Sequence, residues 1–214
     1  MMAGLAEQAI QRAIEAYRVR DLSICDLVSR SENAINRLER EIDQSALDLL
    51  AMEQPMAIDL RFILSVIKIN ADLERVGDSA KSISDRVRNM EQMAVADLPV
   101  DIPRMATLAT EMVRKSLQSF IEADAEIARS VLTMDDAVDA MNRAAYKALT
   151  KVMEEQSHIA PQALNALMIS RSLERVADHA TNIAEDVIFW VQGDDVRHHK
   201  SIAAQKEKEA KAAG

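Results

Sequence analysis

The segment Leu73-Glu74-Arg75-Val76-Gly77-Asp78 returns 100 residues later as Leu173-Glu174-Arg175-Val176-Ala177-Asp178. The match runs on, with Ala80, Ile83 and Asp85 answered by Ala180, Ile183 and Glu185. Earlier in each half the offset is about 103, so that Tyr17, Asp21, Ile24 and Val28 correspond to Phe120, Asp124, Ile127 and Val131, and Ile35-Asn36 to Val138-Asp139. A chain of this kind folds as two copies of one unit, with small length differences absorbed in the turns. Whatever the first half builds, the second must build again.

The repeated unit is helical. Only 4 Gly and 4 Pro occur in 214 residues, and 3% of the chain is aromatic, which is too little turn chemistry for a strand-rich fold. Apolar residues recur at helical spacing almost throughout. The breaks predict three helices per half: Leu5 to Val28, a second after Ser29, whose Ser-x-x-Glu spacing to Glu32 is a helix start signal, and a third from near Pro55 past Met90. Two prolines between Ala94 and Pro103 interrupt the pattern, and Asp101 is placed to cap a fourth helix ending near Val131. A fifth is expected after Thr133 and Asp136, and a sixth from near Pro161 to just before Gly193. The expectation is an all-α protein of two tandem three-helix bundles, six long antiparallel helices in all: residues 1–93, a linker over 94–103, residues 104–199, and a polar, frayed tail over 200–214.

Several function classes are excluded at this level. The single cysteine, Cys25, cannot form an intrachain bridge and sits among Leu22, Ile24, Leu27 and Val28 as a small buried hydrophobe. The formal charge of −9, without a basic block interleaved with aromatics, lacks the footprint of nucleic-acid binding. No stretch has the roughly 18 uninterrupted apolar residues of a membrane span, so a cytoplasmic protein without membrane insertion is expected. Gly-rich phosphate loops, Cys-x-x-Cys pairs and nucleophilic triads are missing. The 12 methionines, Met52, Met56 and Met168 among them, read as adaptable core packing. His158 reads as a turn residue, and the adjacent His198 and His199 as exposed.

What remains is a pattern of carboxylates. On the third helix Phe62, Ile69, Leu73, Val76, Ala80, Ile83 and Val87 make the core stripe. A second line, Leu60, Leu64, Ile67 and Ala71, reads as covered and continues into Glu74, Asp78 and Asp85. Glu74 and Asp78 are one turn apart, and like charges so placed repel. The second helix carries a matching pair, Glu32 and Asn36, which lies as far before the turn at Gln54-Pro55 as Glu74 and Asp78 lie after it. Asp135 and Asp139 face Glu174 and Asp178 across a turn between Glu155 and Pro161, level to within about one helical turn. Carboxylates that converge must be protonated or bridged by a cation, and oxygen donors suit Mg, Mn or Fe(II) better than Zn. His179 adds a candidate nitrogen about 100° off that face, and Asp85 and Glu185 continue the line. The competing reading is that Arg75 and Arg175 neutralise their glutamates on a solvated face. A carboxylate-bridged oxidase is disfavoured, because its Glu-x-x-His spacing occurs once, at Glu155–His158, where such bundles need two copies.

The repeat, Leu60-Arg61-Phe62 with Lys68-Ile69, the paired Leu-Glu-Arg-Val-x-Asp segments, Asp178-His179-Ala180-Thr181-Asn182-Ile183-Ala184-Glu185 and the ending Gly193-Asp194-Asp195-Val196-Arg197-His198 together resemble the PhoU family. The resemblance implies a non-enzymatic adaptor that couples the Pst phosphate transporter, through its ATPase subunit, to a phosphate-sensing histidine kinase and keeps starvation genes off. It also implies a homodimer or higher oligomer, and a divalent metal or iron cluster (Mg, Mn, Fe or Zn) on acidic motifs: Glu32, Glu74 and Asp78 in the first half, Asp135, Asp139, Glu174 and Asp178 in the second. Asn36 departs from the acidic residue the family prefers, which implies a weaker first-half site. The alternative is an acidic helical scaffold that binds a basic protein surface with no functional metal.

Overall fold

The computed structural model describes residues 1–197, which form six α-helices and one short 3-10 turn without a strand among them. α1 spans Met2–Val19, α2 Leu22–Glu53, α3 Ile58–Asn89, α4 Ile102–Glu122, α5 Ala125–Glu155 and α6 Ala160–Gln192. The tail over 200–214 and the pair His198 and His199 lie outside the described residues.

Two boundaries fall earlier than the sequence reading placed them. α1 stops at Val19, where Arg20 turns left-handed (φ 56°, ψ 38°), and Asp21 caps α2 by accepting the Ser23 amide at 2.8 Å. The repeat does the same: Ala123 (φ 51°) ends α4, and Asp124 accepts the amides of Glu126 and Ile127. Ser29 and Thr133 lie inside helices, and their hydroxyls donate back to the carbonyls of Cys25 and Ser130. Such back-bonding satisfies a hydroxyl within a helix, so Ser or Thr followed by an acid marks a start only where the chain actually turns. Asp101 caps α4 as expected, accepting the Arg104 amide at 3.0 Å.

The first three helices pack on one another, as do the last three, and the halves join through α3 against α6 and α1 against α4. One continuous core runs through both halves, with Ile10, Ile35 and Ile83 from the first and Met112, Ile169 and Ile183 from the second all fully buried. Cys25 is buried too, its thiol near the Ser84 carbonyl.

On α3 the stripe from Ile69 to Val87 is buried as expected. Phe62 is not: it is 38% exposed, stacks on Phe120 and meets Trp190 at a tilt, bridging the halves. The second apolar line is not covered either, with Leu60 38% and Leu64 40% exposed. The reason is helix length. At about 1.5 Å per residue α2 and α3 run about 48 Å but α1 only about 27 Å, so beside their shared turn the ends of α2 and α3 have no third helix of their own half over them, and the end of α6 reaches the start of α3 there instead. Met52 and Met56, expected in the core, stand exposed there at 70% and 78%. At the corresponding end of the second half, Leu98 and Val100 of the connecting segment pack onto Leu149, Val152 and Ala163.

Candidate metal centre

The second half brings its acids together most closely. Asp135 and Asp139 project from successive turns of α5 and Asp178 from α6, and one oxygen from each lies within 4.8 Å of the others. Asp135 and Asp139 are half-buried, Asp178 more exposed. Glu174, one turn before Asp178, feels the charges of Asp139 and Asp135. Arg143 Nη1 donates to Asp139 Oδ2 at 3.1 Å.

The electrostatics follow from this crowding. Partial burial, then Glu174, Asp135 and Asp139, pushes the Asp178 carboxyl up to about 6. Glu174 is raised above the ordinary carboxylate range by burial first and Asp139 next, against the opposing charges of Arg171 and Arg175. Acids that resist ionisation beside one another form an oxygen-rich pocket of negative potential. Its donors fit a hard divalent cation, which would restore their ionised form.

In the first half α2 and α3 carry Glu32, Asn36, Glu74 and Asp78. Glu74 is raised by burial first, then by Asp78, Glu39 and Glu32, with Arg75 opposing. The Asn36 amide nitrogen donates to Glu32 Oε1, while its Oδ1 is buried with no hydrogen-bond partner. A buried acceptor left unused is costly, and a cation at this point would satisfy it. Glu39, which the sequence reading missed, is a fourth carboxylate here. The offset of 103 could have found it: Glu39 corresponds to Asn142 as Asn36 does to Asp139, so amide and acid have exchanged places between the halves. Asn142 is spoken for, its Oδ1 accepting from Ser170 Oγ at 2.9 Å.

Other candidates fall elsewhere. His179 turns to the α3 side, with Nδ1 2.9 Å from Oδ1 of buried Asp72, which also accepts from Asn182. Asp85 pairs with Lys81. Glu185 is half-buried on α6 and acts on Arg197. Glu155 pairs with Lys151 at the far end of α5, and His158 sits in the following turn. Arg75 and Arg175 form no ion pair with their neighbouring glutamates. Sequence reasoning also missed a partly buried contact between the halves: Lys68 Nζ reaches Oδ1 of the buried Asp186 at 2.7 Å.

The family description "PhoU domain" matches residues 1–87 and again 102–187, one copy on each half. The chain belongs to the PhoU family. It is 37% identical over 198 residues to the phosphate-specific transport system accessory protein PhoU homolog of Pseudomonas aeruginosa, covering 92% of this chain and 82% of that one. The homolog from Clostridium acetobutylicum is 30% identical, covering 91% and 90%. The crystal structure of PhoU from Pseudomonas aeruginosa superposes with a TM-score of 0.87 at 36% identity, over 90% of this chain and 93% of that one. The phosphate transport system regulatory protein PhoU from Streptococcus pneumoniae gives 0.84 at 28%, over 91% and 92%. PhoU proteins are regulatory accessories rather than enzymes, and two stacked three-helix bundles are the PhoU fold. Among the described residues no helix of this PhoU chain is long and apolar enough to cross a membrane.

Proposed function

We propose that the protein is a cytoplasmic, metal-bearing adaptor that restrains phosphate uptake and starvation-gene expression by linking the transporter's ATPase subunit to a phosphate-sensing histidine kinase, acting as a homodimer or larger assembly. The naming of its relatives as accessories of phosphate-specific transport supports the regulatory part. The observation that carries the metal is the convergence of Asp135, Asp139 and Asp178 within 4.8 Å. Glu174 completes that set, and Glu32, Glu39, Glu74, Asp78 and the Asn36 amide oxygen are the first-half donors. A divalent ion such as Mg, Mn or Fe(II) would neutralise like charges that the fold otherwise holds apart at a cost. It would also stabilise the folded state by mass action.

Elemental analysis of wild type and an Asp135→Asn/Asp139→Asn variant, before and after chelation, tests the metal. Wild type should carry chelator-removable metal, and the variant less. A starvation-gene reporter in phosphate-rich medium tests the role, since deletion should switch it on. If the folded, metal-poor variant still represses, the acidic scaffold without functional metal is the better reading. A reporter that stays silent in the deletion strain removes the regulatory role.

A further inference from the structure

The repeated Leu-Glu-Arg-Val-x-Asp segment points two ways. Glu74 and Glu174 belong to the carboxylate clusters of their own halves, but the arginines one residue later lie about 100° around each helix. Arg75 of α3 and Arg175 of α6 line one groove along the α3–α6 boundary, together with Lys81, Arg86, Asn89, Ser79, Ser82 and His179. The groove encloses about 510 Å³. Repeat-equivalent residues from the two halves thus converge on one site, which neither half forms alone.

The groove carries an excess of positive charge within an otherwise acidic protein. Arg75, Lys81, Arg86 and Arg175 stand against Asp78 and Asp85, and Lys81 already answers Asp85. Among the described residues no carboxylate oxygen lies within ion-pair distance of Arg75, Arg86 or Arg175. The wall behind them is fixed. Buried Asp72 holds His179 through Nδ1, which leaves Nε2 uncommitted to it, and Ser172 Oγ lies 3.4 Å from Ser82 Oγ across the same boundary. That second contact is the repeat counterpart of the one between Asp72 and Asn182.

No aliphatic or large aromatic side chain lines the groove, so a nucleobase or acyl chain would find nothing to pack on. Guanidinium groups are matched to phosphoryl oxygens, which they bind through paired N–H donors. Several of them spread along one groove suit an anion with more than one phosphoryl group. We propose that this groove binds condensed inorganic phosphate, an anion of the pyrophosphate or tripolyphosphate type, clamped between Arg75 and Arg175. The groove shares Asp78 with the first-half carboxylate cluster, but its cations come from Arg75, Arg175, Lys81 and Arg86, and it does not depend on the metal reading.

Isothermal titration of the metal-free full chain with pyrophosphate and tripolyphosphate, in chelator, tests it. Both should bind, tripolyphosphate more tightly, with affinity falling as salt is raised. Arg75→Gln/Arg175→Gln should weaken binding at least tenfold with the melting temperature held, and Arg75→Lys/Arg175→Lys should recover part of it. Arg37→Gln, an exposed arginine on α2, should bind like wild type. Absence of binding at millimolar pyrophosphate, equal loss in Arg37→Gln, or unchanged affinity in the double glutamine variant would each overturn the proposal. Orthophosphate binding as tightly as tripolyphosphate would overturn the multi-phosphoryl assignment.

Discussion

Gly77 lies between Glu74 and Asp78, where α3 packs against Ile35 of α2. A Cβ added there would sit 2.9 Å from Ile35 Cδ1 and 3.5 Å from Cγ2. Ile35 is fully buried, so the methyl cannot swing into solvent. Overpacking of this kind costs about 1–3 kcal/mol, while alanine in place of glycine inside a helix recovers about 0.5–1 kcal/mol. Gly77→Ala should therefore lose about 1 kcal/mol, or about 2–4 °C for a protein of this size. The second half has already made the compensating change, holding Val138 and Ala177 where the first holds Ile35 and Gly77. Ile35→Val deletes the clashing Cδ1 and by itself costs about 0.5–1.5 kcal/mol. The double variant cancels crowding against cavity and keeps the helix gain, so it should be at least as stable as wild type, with a favourable coupling of about 1–2 kcal/mol. Urea unfolding followed by circular dichroism in chelator measures all four corners of the cycle. If the two changes are additive, or if Gly77→Ala stabilises while Ile35 is intact, the close approach at Gly77 does not control this packing.

Lys68→Met should destabilise the protein by about 1–2 kcal/mol at neutral pH, because it strands the buried Asp186 carboxylate, with the partial exposure of Lys68 limiting the effect. Burial already raises the Asp186 pKa against the pull of Lys68, so the deficit should shrink in acid, where the carboxyl is protonated, and widen as pH rises. Asp21→Ala and Asp124→Ala should each cost about 1 kcal/mol in thermal unfolding, additively, as caps in separate halves. In chelator, Asp178→Asn should be more stable than wild type above pH 6, by less than about 1 kcal/mol given its exposure, and the advantage should vanish below pH 4. The sign follows from a folded-state pKa raised to about 6, since wild-type stability is lost as pH rises through that value. A gap that grows toward acid would contradict it.

The carboxylate pairs were legible because a helical repeat converts sequence distance into height, and equal distances from a turn bring residues level. Helix boundaries were less so. Apolar periodicity passes through Arg20 and Ala123 with little change, since a single left-handed residue breaks the helix without disturbing the spacing of the core residues around it. The cap signal was nevertheless present: Asp21 and Asp124 are repeat partners, and each immediately precedes a helix. Glu39 does not announce itself as one of a pair of acids four residues apart, because it follows Asn36 by three. The pairing of His179 with Asp72 could not be read from either helix alone. It depends on how α3 packs on α6, and nothing in a single helix's pattern specifies its partner's register.

That packing explains what duplication adds to a three-helix unit. Within a half, Glu74 or Glu174 faces the antiparallel neighbour, and each half can assemble its carboxylates without the other. The arginine next in sequence faces the opposite half instead, so one six-residue segment, used twice, gives two separate acidic clusters and a single basic groove on the boundary between them. Loss of a glutamate should then affect one cluster and leave its repeat partner intact, whereas loss of either arginine affects the one groove both halves share. Lys68 with Asp186, and Asp72 with His179, hold α3 against α6 at successive turns along that boundary. Any change that loosens those contacts should weaken the groove before it weakens either cluster, because only the groove depends on the relative position of the halves.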